Sequence, residues 1–131
     1  MSVPCLALVR NAAAASALLA AMSVAAHHSF SGQFNIDDPV SIEGVVTRVE
    51  WQNPHVWFYV DATDEDGNVV HWEAETTNPN TLLRRGWKAD DLKVGDRVSV
   101  DGARAFCCDN VMNARTVTLP DGRRVFSRDG R

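Results

Sequence analysis

HVWFYVDATDEDGNVVHWEAET, residues 55–76, is a β-hairpin written out in full. Apolar and polar residues alternate on both arms, as they must when successive side chains point to opposite faces of a sheet. On the first arm Val56, Phe58, Val60 and Ala62 form one face, and His55, Trp57, Tyr59 and Asp61 form the other. On the second arm Val70, Trp72 and Ala74 oppose His71, Glu73 and Glu75. Apolar face meets apolar face only if paired positions sum to an even number. Pairing Val60 with Trp72 leaves Glu65-Asp66-Gly67 as a three-residue loop with glycine at its left-handed position, a favoured hairpin connection. The same register sets Asp61 opposite His71, Tyr59 opposite Glu73 and Trp57 opposite Glu75. His55 then lies six residues from the position that faces His71, roughly 20 Å at about 3.3 Å per residue, so these two histidines cannot share a metal ion.

The flanking segments extend the pattern. Pro39 to Trp51 reads as a first strand whose apolar phase shifts across Gly44, where a bulge is expected. Asn53-Pro54 turns the chain into the hairpin. After the hairpin, Asn78 caps a short helix with Pro79 at its first position and Gly86 at its end. Leu82 and Leu83 are expected to pack inward, with Arg84 and Arg85 laid over the surface, and Trp87 and Leu92 to plug the core. Lys93-Val94-Gly95-Asp96 turns into a fourth strand, Arg97 to Gly102. A fifth strand follows from Met112 to Leu119, then a turn at Pro120-Asp121-Gly122 and a short last strand, Arg123 to Phe126. Three strands, a helix and two or three further strands, with the first strand bulged, is the order of an all-β, OB-like barrel of five to six strands. A β-sandwich needs more strands and has no place for a helix between the third and fourth.

The 131 residues suffice for one domain. Residues 1–26 carry a single charge, Arg10, ahead of an alanine- and leucine-rich run that closes on Val24-Ala25-Ala26. Small residues three and one before His27 mark a secretory signal peptide cleaved there, with cleavage before Ala26 as the competing site. Asn11, Ser16 and Ser23 interrupt the run, and a retained membrane helix needs about 20 apolar residues. Cys5 lies too far upstream of the cleavage point to be a lipid-modified cysteine. The expected product is residues 27–131, an exported periplasmic or secreted domain with no further membrane span. Its 12 basic and 17 acidic residues leave a formal charge of −5, which argues against a phosphate-backbone partner.

The elements HHSF (27–30), VEWQNPH (49–55), LLRRGW (82–87), LKVGDRVSVDG (92–102) and NARTVTLPDGR (113–123) resemble a family of small exported bacterial proteins named only as domain of unknown function 6152. The resemblance implies a signal peptide followed by a compact β-barrel, and it carries no activity. Cys107 and Cys108 fall outside that motif set. As neighbours they allow a tight vicinal disulfide, an intermolecular bridge or two free thiols in a loop.

Three constellations bear on function. The outward face of strands two and three collects Trp57, Tyr59, Asp61, His71, Glu73 and Glu75. In OB barrels this face is the usual ligand platform, and aromatic rings among carboxylates suit a sugar, a cation or a partner peptide; the plainer alternative is a solvated sheet face. A mature terminus beginning at His27 offers its amine and imidazole as a chelate, to which His28 or His55 adds a nitrogen. Such a set suits copper(II) first, then nickel or zinc, although two exposed histidines also simply follow a cleavage site. Glu73 and Glu75 share a face, but nothing marks a catalytic pair, and no nucleophile elbow or phosphate loop is present. Binding rather than catalysis is expected, with a small ligand or a protein as partner and no cofactor demanded beyond that copper.

Overall fold

The computed structural model describes residues 30–127. The expected signal peptide and its cleavage site, Cys5, and the histidines His27 and His28 lie outside the described residues. Helix α1 (Phe30–Gln33) leads into strand β1 (Phe34–Glu50), followed by β2 (Trp57–Thr63), β3 (Val69–Glu75), helix α2 (Pro79–Arg84), a 3-10 turn at Ala89–Asp91, and strands β4 (Arg97–Ala105), β5 (Val111–Thr118) and β6 (Arg124–Val125).

Strand β1 pairs with β2 on one side and β4 on the other, β4 with β5, and β5 with β6, all antiparallel. A short parallel pairing of β3 with β5 closes the ring. This is the OB-like barrel, with α2 between β3 and β4. The hairpin register is as expected: Val60 faces Trp72, Asp61 His71, Tyr59 Glu73 and Trp57 Glu75. Asp64 and Asn68 close the loop by a backbone hydrogen bond, and Gly67 takes a φ of 85°.

Inside lie Val56, Phe58, Val60, Ala74, Val100, Met112 and Val117, each essentially without exposed surface. Trp87 and Leu92 are buried as expected. The Trp87 indole N–H donates to the Ser127 carbonyl at 3.4 Å, giving its polar edge a partner and tying the segment after β6 to the core. Phe126 packs its ring 5.9 Å from Trp51 and 6.3 Å from Phe58. Asn78 caps α2, its Oδ1 accepting from the Thr81 amide at 2.9 Å.

Three expectations are corrected. The β1 bulge is at Thr47, since Val46 faces Val60 while Arg48 already faces Tyr59. Ile42, Gly44 and Val46 all point inward, so the phase does not change at Gly44. Glycine is required there because a Cβ would stand 2.2 Å from the Asp61 carbonyl oxygen. Leu83 is exposed, because a helix of six residues turns only one leucine, Leu82, to the core. Strands β1 and β4 also run longer than the sequence pattern indicates. Their extensions form a small outer cluster in which Phe34, Ala103 and Ala105 pack with Val111.

Candidate functional site

The β2–β3 face is built in rows across three strands. Because the Thr47 bulge advances β1 by one residue, Arg48 stands beside Tyr59 and Glu50 beside Trp57. Without it Thr47 would face Tyr59. The Arg48 guanidinium lies 3.8 Å from the centre of the Tyr59 ring and is held at 3.1 Å by Glu50. Bulges commonly re-aim side chains in this way, and the resulting cation–π contact is one the sequence pattern does not reveal.

The six face residues expected from the sequence divide into three groups. Trp57, Tyr59 and Glu73 line one shallow hollow of about 180 Å³ with Glu50, Gln52 and His55. Asp61 and His71 form a separate exposed pair near the hairpin loop, Oδ1 to Nδ1 at 2.6 Å. Glu75 leaves the solvated face altogether and is buried, its carboxylate bound to His55 Nδ1. The reason is topological. Val56 continues the ladder by bonding to Thr76 and Thr77, which brings His55 over Glu75, and β5 closes on the other side with Asn113 beside Glu75. A buried carboxylate requires such a partner.

His55 is half exposed and belongs to both the face hollow and a larger one. The larger hollow, about 280 Å³, opens where α1, α2 and the β3–β5 seam meet. Phe30 and Phe34 form its apolar wall, their rings 5.4 Å apart. Thr76, Thr77, Asn113, Arg85 and Arg115 supply polar groups around the His55–Glu75 pair. Among the described residues no three His, Cys, Asp or Glu side chains converge on a metal position; in particular His55 and His71 are engaged by different carboxylates. Cys107 and Cys108 are joined to each other in the exposed β4–β5 loop.

Fold and site together define a small OB-like barrel with a polar and aromatic hollow on its β2–β3 face. The model of a family of unknown function (DUF6152) matches residues 14–107, and the chain belongs to that family. The match stops at the first cysteine of the vicinal pair, so β5 and β6 lie beyond it. No curated protein and no solved structure matches the chain. Among the described residues no helix is long and apolar enough to cross a membrane.

Proposed function

We propose that the protein is an exported binding protein, not an enzyme, and that its small ligand or protein partner presents a cation to the β2–β3 face. The observation that carries this is the Arg48 guanidinium on Tyr59. The face already holds one cation between an aromatic ring and the Glu50 carboxylate. Next to it, Trp57 and Glu73 repeat the combination of ring and acid in the same hollow, and Glu73 is exposed. A formal charge of −4 over the whole chain favours a cationic partner at longer range.

Titration of the exported protein with arginine amide, followed by heteronuclear NMR, tests this. Shifts centred on the Trp57 indole, Tyr59 and Glu73 are expected. Trp57→Ala should weaken binding roughly two- to thirtyfold, the span of a cation–π contact, with the fold intact. Shifts spread over the whole surface, or affinity untouched by both Trp57→Ala and Glu73→Gln, refute the reading.

A second reading, a periplasmic copper protein, is favoured by one observation. Phe30 lines the same hollow as His55, and His27 precedes it by only three residues, a reach of at most about 10 Å. His27, His28 and His55 would then be the nitrogen ligands for copper(II). Intact mass of the naturally exported protein should begin at His27 and show one retained copper, lost in His27→Ala/His28→Ala. Unchanged copper affinity in that double variant removes this reading.

A further inference from the structure

The larger hollow has a charge character opposite to that of the face. Arg85 and Arg115 both line it, and neither guanidinium has an ion pair or hydrogen bond among the described residues. Four other arginines are spent elsewhere: Arg48 on Glu50, Arg104 on Asp38, Arg123 on Asp121 and Arg84 on Thr81. Among the described residues one carboxylate lines the hollow, Glu75, and it is buried under His55.

Arg115 is placed there by the backbone. On β5, Thr116 faces Asp101 and Ala114 faces Gly102, so Arg115 is the extra residue of a bulge with no opposite number on β4. Ala114 and Val117 on either side keep their inward positions. Such an insertion frees one side chain from the ladder and re-aims it. Arg85 comes from the other side, as the residue that caps the C-terminal end of α2. Two arginines from different elements thus line one hollow, and a guanidinium presents two parallel N–H groups that suit a carboxylate. The Thr76 and Thr77 hydroxyls and the Asn113 amide offer further donors at the same rim.

We propose that this hollow is a second binding site, for a small organic carboxylate with an apolar or aromatic body. Arg85 and Arg115 take the carboxylate, and the Phe30–Phe34 wall takes the body. The site adjoins the face hollow at His55 but takes its ligand through other residues, and it does not rest on the reading of the face.

The test is NMR titration of the full exported chain with sodium benzoate, acetate and benzylammonium chloride. Benzoate should bind tighter than acetate and perturb Arg85, Arg115 and Ala114, while benzylammonium leaves these signals in place. Arg85→Gln and Arg115→Gln should each lower benzoate affinity roughly tenfold or more, and Arg85→Lys should restore part of it. Trp57→Ala reports only on the face, so its loss of arginine-amide binding with benzoate affinity retained separates the two sites. Benzylammonium shifting the same signals as strongly as benzoate overturns the proposal. So does benzoate affinity indifferent to both glutamine substitutions in variants whose spectra show the native fold.

Discussion

Replacing Gly44 by alanine tests the barrel at its tightest backbone approach. A methyl group there would stand 2.2 Å from the Asp61 carbonyl oxygen, and 2.7 Å from both the Asp61 carbonyl carbon and Val60 Cγ1. The valine methyl can yield by rotation, but the carbonyl belongs to the β1–β2 ladder and cannot. Bringing the closest contact out to 3.0 Å from 2.2 Å requires the strands to part by at least 0.8 Å at that point. Overpacking of this kind costs about 1–3 kcal/mol, and each weakened ladder bond adds about 1 kcal/mol. A total near 3 kcal/mol corresponds to a fall in Tm of roughly 12–24 °C for a domain of about 100 residues. Thermal unfolding followed by circular dichroism measures it. Gly67→Asn is the control, because nothing lies within 4 Å of a Cβ there and asparagine tolerates the left-handed conformation, so its cost should stay at about 1 kcal/mol or less. A Gly44→Ala protein melting within about 4 °C of the parent would refute the close-approach argument.

Further consequences can be checked in parallel. His55→Ala leaves the buried Glu75 carboxylate without its partner and should cost about 1–3 kcal/mol by urea unfolding; adding Glu75→Gln should recover part of that loss, and a strictly additive double variant would disprove the coupling. The Asp64 carboxyl is held below the usual carboxylate range, chiefly by the Asn68 amide and then by the Asn68 side chain. Its stabilisation is therefore complete above the ordinary aspartate value and disappears as pH falls through the lowered one, and an NMR titration midpoint at or above the ordinary value would contradict this. Alkylation of the protein prepared without reductant should leave Cys107 and Cys108 unlabelled and modify both after reduction, as read by peptide mass mapping. Labelling before reduction would show that they are not bonded to each other.

The hairpin was legible from its sequence because every cue agreed: period-two alternation, a glycine at the loop's left-handed position, and even-sum pairing. The cap at Asn78 and the plug at Trp87 were equally plain, being local. The β1 bulge was not, because Val45, Thr47 and Val49 are all β-branched and the apolar phase shows no clean break at Thr47. Misplacing that one residue conceals the meeting of Arg48 with Tyr59. Glu75 looked like a surface acid because its partner, His55, lies twenty residues away and its cover, β5, arrives from later in the chain. Arg115 carries no local sign of a bulge. That becomes visible only when β5 is aligned with β4 across Gly102.

The parallel seam between β3 and β5 has only three register pairs, Glu73 with Val111, Ala74 with Met112 and Glu75 with Asn113. It has the fewest register pairs of the five ladders that close the ring, so it is the edge that opens most readily. Glu73 belongs to the face hollow, and Glu75 and Asn113 to the larger one, so a barrel unlatched here loses a wall of each. Occupancy of either hollow should therefore hold the latch shut. The Glu73 amide, bonded across the seam to the Asn110 carbonyl at 3.0 Å, is the hydrogen whose exchange with solvent would slow as a ligand is added.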